Sequence, residues 1–194
     1  MVVVLFFHGY GQNGKFFKER RRLEKLEKEF IKHGHYCFFL DGAYRAHTID
    51  NGCTSPCSWY APTGIETNDI HQLLESFSPM NLILIGFSQG GVYIDAILRY
   101  YNKYREKFSC HIVSALFCAC HGNEYFHYSI PSIPTFHIWG IYDDCVDHQL
   151  SKKLYEKYAK KHARTQHLVH TKKHIFPIDP KSVDTILNFV KYVT

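Results

Sequence analysis

The stretch Leu82-Ile83-Leu84-Ile85-Gly86-Phe87-Ser88-Gln89-Gly90-Gly91 decides the fold. Its first half is a continuous apolar run of strand length, the pattern of a strand covered on both faces. Its second half is Gly-x-Ser-x-Gly, and a helical period follows at Val92, Ala96, Ile97 and Tyr100. A serine at a sharp strand-to-helix turn is lifted out of the sheet in a strained conformation. Glycines two positions to either side let that turn pack closely, and the next backbone N–H, from Gln89, points at a bound carbonyl oxygen.

Outward from this strand, five more apolar runs have the same character: Val2 to Phe7, His35 to Leu40, His111 to Phe117, Thr135 to Trp139 and Gln166 to His170. Between them lie helical periods. Phe16, Leu23, Leu26 and Phe30 predict one long first helix, and Ile70, Leu73, Leu74 and Phe77 a second. Leu150, Leu154, Tyr158 and Ala159 mark a helix before the last strand, and Val183, Ile186, Leu187 and Val190 mark the final one. Alternating strand and helix predicts a doubly wound α/β fold with a six-stranded, mainly parallel sheet. At 194 residues the chain is read as one domain, 1–194, with no large lid.

A serine hydroxyl needs a base, and the base needs an orienting acid. In a sheet of this kind they follow in the order Ser, Asp/Glu, His. Phe136-His137-Ile138-Trp139-Gly140 is a strand ending in glycine, and Asp143 and Asp144 come just after it. The last strand runs into Thr171-Lys172-Lys173-His174, which places a histidine on the following loop. The first strand ends in His8-Gly9-Tyr10-Gly11, where a second backbone donor to an oxyanion belongs, and Tyr10 is the candidate. The long segments 41–63 and 119–134 leave strand ends and are expected to wall the site. Both are rich in aromatics and cysteine, and His121 on the second is a candidate substrate contact. An open, partly apolar groove for acyl esters is expected there, with a preference rising along an acyl-chain series.

Composition excludes several other classes. Apolar residues make up 45% and charged residues 21%, the balance of a globular domain. The net charge of +5 is mild. Its densest basic stretch, Arg20-Arg21-Arg22, is interleaved with Glu19, Glu24, Glu27 and Glu29, a solvated face with no pattern for nucleic acid. Seven cysteines suggest no disulfide framework. Cys53/Cys57 and Cys118/Cys120/His121 lack a second pair at zinc spacing, so no metal is expected. Met1 to Phe7 reads as a strand with no signal-peptide features, and no run is long enough to span a bilayer. A cytoplasmic setting is the resulting expectation; oligomeric state is left open.

Two competing readings stay in view. Gly9-Tyr10-Gly11-Gln12-Asn13-Gly14 is a literal G-x-G-x-x-G between strand and helix, with Asp41 ending the second strand. That is the fingerprint of a dinucleotide-binding oxidoreductase, but it leaves Ser88, Asp143 and His174 unexplained. A catalytically idle interaction protein on the same fold would have no need of those three.

On these residues the chain resembles the FSH family of serine hydrolases, small esterases related to the ovarian-cancer-associated gene 2 protein. The likeness runs through Leu5 to Gly14, Gly86 to Gly90, Trp139 to Val146 and His174 to Pro177. The Gly-Phe-Ser-Gln-Gly-Gly run is also similar to acyl-protein thioesterases and related carboxylesterases. The resemblance implies an α/β-hydrolase fold, with Ser88, Asp143 and His174 as triad and Tyr10 and Gln89 as oxyanion donors. Hydrolysis of small or lipid-like acyl esters without any cofactor follows from it. Of the two aspartates, the family spacing Gly-x-x-Asp-x-x-Val selects Asp143. Trp59 looks like an aromatic that such esterases carry beside the site, although packing accounts for it equally. Lys172-Lys173 departs from the small residues the family commonly places before the histidine.

Overall fold

Alternate residues of the first strand belong to two different cores. Val3, Leu5 and Phe7 face one side, and Val2, Val4 and Phe6 the other, with every one of them buried. The computed structural model of the chain describes residues 1–20, 22–48 and 52–194. Arg21 of the basic stretch and residues 49–51 of the first long loop lie outside those residues.

The strands are β1 (Val3–Phe7), β2 (Tyr36–Leu40), β5 (Asn81–Phe87), β6 (His111–Cys118), β7 (Thr135–Gly140) and β8 (Gln166–His170). They form one parallel sheet in the order β2-β1-β5-β6-β7-β8. Inside the first long loop, β3 (Tyr44–Arg45) and β4 (Cys57–Ser58) pair antiparallel, a small second sheet that the loop's lack of periodicity does not reveal. The helices are α1 (Gly14–Arg20), α2 (Glu24–Lys32), α3 (Thr67–Ser76), α4 (Gln89–Lys103), α5 (His148–Ala159) and α6 (Pro180–Val193). Apolar residues of α3, α4 and α5 pack on one face of the sheet, and those of α1, α2 and α6 on the other. Asp147 and Asp179 cap α5 and α6 by accepting the backbone N–H of Gln149 and Ser182.

The expected long first helix is two helices. The chain breaks after Arg20, and Arg22 adopts φ +51°, the left-handed region that ends helices. The N–H of Leu23 reaches back to the Lys18 carbonyl (2.9 Å), and that of Arg22 to Glu19 (3.1 Å). Phe17, rather than Phe16, enters the core because α1 is rotated relative to the predicted face. No helix among the described residues is long and apolar enough to cross a membrane.

The strand order reverses between β1 and β5: β2 lies on one side of β1, while the chain's later strands lie on the other. In open α/β sheets the crevice at such a switch point, beyond the carboxyl ends of the strands, is where ligands sit.

Candidate active site

Ser88 follows β5 at that crevice with φ +53° and ψ −121°, a strained conformation for any residue but glycine. Its surroundings hold it there. The Ser88 N–H donates to the Cys118 carbonyl of β6 (2.9 Å), and the Ser88 carbonyl accepts from Gly91 (2.9 Å) and Val92 (3.3 Å). The flanking glycines are steric requirements. A Cβ on Gly86 would lie 2.7 Å from the Gly90 carbonyl group, and one on Gly90 would strike the Phe7 carbonyl oxygen. The helix can thus start against both its own strand and β1, and the serine stands at the tip, half-buried.

Asp143 lies three residues past the end of β7, and His174 four past the end of β8. The Asp143 carboxylate is almost fully enclosed. It accepts the backbone N–H groups of Cys145 and Val146 (both 2.9 Å), and its two oxygens lie 3.0 and 2.9 Å from His174 Nδ1. A carboxylate there fixes the tautomer with the proton on Nδ1, leaving Nε2 as the basic atom. The His174 ring lies 4.8 Å, centroid to centroid, from Phe87, the residue immediately before Ser88.

Asp144 points elsewhere: it is paired with Lys173 Nζ (2.8 Å), and that ammonium holds the carboxyl below its usual range. The lysines that depart from the family pattern are both turned outward, Lys172 pairing with Asp179 (3.3 Å). Gly140 makes room for their backbone, since a Cβ at Gly140 would strike the Lys172 carbonyl oxygen. The strand-end glycine therefore lets the β8 loop cross over β7 and carry His174 to Asp143.

Tyr10 and Gln89 sit on opposite sides of the switch point, after β1 and at the start of α4. Among the described residues neither backbone N–H makes a hydrogen bond, so both remain available to an oxyanion. The neighbours of Tyr10 are all occupied. Gly9 N–H donates to Gln12 Oε1 (3.1 Å), Gly11 N–H to the Cys57 carbonyl (3.1 Å), and Gly14 N–H to Asp41 Oδ1 (2.7 Å). A dinucleotide site needs those amides for pyrophosphate and that acid for a ribose. Here Gly14 N–H takes the acid, and the amides of Gly9 and Gly11 are taken by Gln12 and Cys57.

His8, which the sequence offers only as part of a turn, is fully buried and ties this turn together. Its Nδ1–H donates to the Gly9 carbonyl (2.7 Å) and its Nε2 accepts from Gly42 N–H (3.0 Å). Burial pushes its pKa down to about 4. Trp59 is buried too. Its indole N–H donates to the His8 carbonyl (2.7 Å), and its ring stacks on Tyr93 with centroids 5.3 Å apart. Packing accounts for the Trp59 ring. Its backbone N–H holds Gln89 Oε1 (3.1 Å) while Ser58 Oγ accepts from Gln89 Nε2 (2.9 Å), so this segment steadies Gln89 from behind. His121 is half-buried and bonds the adjacent Gly122 carbonyl through Nδ1 (2.7 Å).

A cavity of about 260 Å³ opens between Tyr10 and Gln89. Its walls are Tyr44, Arg45 and His47 from the first long loop with Tyr60 behind them, and Tyr125 from the second, the last two rings 5.4 Å apart. The two long loops do meet beside the candidate site. Neither Trp59 nor His121 lines the cavity. It is short, with tyrosine rings, Ala61 and Pro62 in its wall and the Arg45 guanidinium at its rim. The metal-capable cluster among the described residues is Asp143, Cys145 and His174, with one ligand atom from each within 4.8 Å of the others. Two of its members are already hydrogen-bonded to each other. None of the seven cysteines forms a disulfide among the described residues.

Comparison with known proteins places the fold and the family. The Bacillus cereus carboxylesterase superposes with a TM-score of 0.65 at 16% identity, over 100% of this chain and 89% of that one. The Pyrococcus furiosus esterase Pf2001 gives 0.69 at 18%, over 99% and 83%. Arabidopsis thaliana SOBER1 gives 0.63 at 15%, over 98% of each chain. These likenesses are of fold. No relative among curated proteins matches the sequence. The family described as "Serine hydrolase (FSH1)" matches residues 1–186. That match spans the Gly9–Gly14 turn, so the oxidoreductase and idle-protein readings both give way. The chain belongs to the FSH1 serine hydrolase family and is a carboxylesterase-like enzyme on an α/β-hydrolase fold.

Proposed function

We propose that the enzyme cleaves carboxylic esters or thioesters through a Ser88–His174–Asp143 triad and an acyl-enzyme. The observation that carries this reading is the Asp143–His174 pair, two hydrogen-bond-length contacts at 2.9 and 3.0 Å, with the His174 ring 4.8 Å from Phe87, the residue before the strained serine at the end of β5. His174 Nε2 takes the proton of Ser88 Oγ as that oxygen bonds to the substrate carbonyl carbon. The resulting oxyanion accepts from the backbone N–H groups of Tyr10 and Gln89. As the C–O or C–S bond breaks, His174 returns the proton to the leaving alkoxide or thiolate. A water then enters, and His174 removes its proton as the water oxygen bonds to the acyl carbon. When the Ser88 C–O bond breaks, His174 returns the proton to Ser88 Oγ, releasing the acid and restoring Ser88. Asp143 stays ionised, holding the imidazole and stabilising the imidazolium. No step calls for a metal or organic cofactor.

Steady-state hydrolysis of p-nitrophenyl butyrate by Ser88→Ala tests this. Turnover is expected below about a hundredth of wild type, the remainder coming from binding and the oxyanion donors. Retention of more than that removes Ser88 as the nucleophile.

A further inference from the structure

The cavity between the two oxyanion candidates has a chemistry that ester hydrolysis alone does not require. Tyr10 and Gln89, the latter next to Ser88 in the chain, line it, whereas Ser88, Asp143 and His174 do not. In the proposed mechanism His174 protonates the leaving group, so the leaving group lies on the His174 side of the carbonyl. A cavity on the side of the two amides therefore receives the acyl group. At about 260 Å³ it falls below the ~300 Å³ at which pockets for drug-sized ligands begin. A long lipid chain does not fit inside.

Its lining joins tyrosine hydroxyls, Ser58 and Gln89 to a single guanidinium, that of Arg45. Arg45 and His47 are exposed at its mouth. Arg45 makes no ion pair or hydrogen bond through its guanidinium among the described residues. Among the described residues no carboxylate belongs to the lining. Asp69, beside Tyr44, is occupied by the Tyr44 hydroxyl (2.6 Å). Arg45 stands on β3, paired with Cys57 of β4, which places a normally flexible side chain on a fixed backbone. The Tyr10 hydroxyl accepts the His47 N–H (3.1 Å) and fixes the loop on the other flank. An unpaired guanidinium on a rigid strand, with tyrosine hydroxyls around it, matches the planar oxygen pair of a carboxylate.

We infer that the preferred acyl group is short and ends in a carboxylate, so that the substrate is a monoester of a dicarboxylic acid whose free end meets Arg45. This rests on the triad reading for the chemistry and adds the specificity. The test compares ethyl hydrogen glutarate with ethyl hexanoate, followed by proton NMR, for wild type and for Arg45→Gln. Wild type should show kcat/KM for the glutarate at least about tenfold above that for the hexanoate. Arg45→Gln should lower that ratio by about tenfold or more, and added salt should lower it in wild type. Equal or better use of the hexanoate overturns the inference, as does an unchanged ratio in Arg45→Gln. Hydrolysis of neither ester by protein that a fluorophosphonate still labels at Ser88 overturns it as well. Full activity of Ser88→Ala on both esters would instead strike the triad, so the two failures are distinct.

Discussion

At the scale of single residues, two adjacent aspartates show how side-chain direction separates a reactive role from a surface one. Asp143 and Asp144 follow the same strand, and composition does not choose between them. Asp143 turns inward to two backbone amides and His174, whereas Asp144 turns outward to Lys173. Replacing an orienting carboxylate by its amide costs about 10⁴ in kcat in a serine protease, because the imidazole loses its correct tautomer. Asp143→Asn is therefore expected to lose at least about two orders of magnitude in kcat, with Asp144→Asn staying within about tenfold of wild type. Kinetics on both variants, matched for folding by circular dichroism, provide the check; a larger loss in Asp144→Asn would reverse the assignment. The sequence pattern brought Ser88, Asp143 and His174 into view because each follows a strand end in the required order. It was silent on His8, Arg45 and Tyr60, whose surroundings are set by loop contacts between residues far apart in the chain. Nothing in the spacing of His8 and Gly42, for instance, announces the 3.0 Å bond between them.

Elements were legible where burial enforces a period and illegible where it does not. All six strands of the main sheet lie where the apolar runs place them. The inner four, β1, β5, β6 and β7, are covered on both faces and leave a continuous signal, whereas the edge strands β2 and β8 are partly exposed. The β3–β4 hairpin escaped notice because two-residue strands carry no period. The division of the first helix escaped because Leu23, Leu26 and Phe30 keep a helical spacing across the break, while its cause is a backbone angle at an arginine. That angle makes a prediction. Arg22 sits exposed at φ +51°, where a Cβ costs about 1–2 kcal/mol, partly offset by the extra freedom glycine has when unfolded. Arg22→Gly is expected to raise stability by about 0.5–1 kcal/mol in urea denaturation with an unchanged m-value. Destabilisation would mean that the α1–α2 junction is held by the arginine side chain instead.

Across the whole molecule, the sheet brings together what the chain keeps apart. Residues 10, 88, 143 and 174 are carried to one edge of the sheet because β1, β5, β7 and β8 run parallel and end there. The same burial makes the fold sensitive to acid. His8 and His137 are enclosed, and desolvation lowers their pKa to about 4 and about 3. Once unfolded, both return to about 6.5 and take up protons that the folded state refuses. The stability they contribute is present in full above about pH 6.5. It falls as pH drops toward 4, by up to about 1.4 kcal/mol per pH unit for each histidine. His137 stacks on Phe117 with centroids 4.8 Å apart, so His137→Phe keeps an aromatic ring there and should flatten the fall between pH 6 and 4. An equally steep fall in that variant would place the acid sensitivity elsewhere. The central claim, that one strained serine among all the hydroxyls of this chain is the nucleophile, is tested most directly by labelling native protein with a fluorophosphonate and mapping the adduct by mass spectrometry. The account predicts a single adduct per chain, on Ser88, lost when the protein is unfolded before labelling; an unlabelled Ser88 in active protein, or an adduct on a different residue, would contradict it.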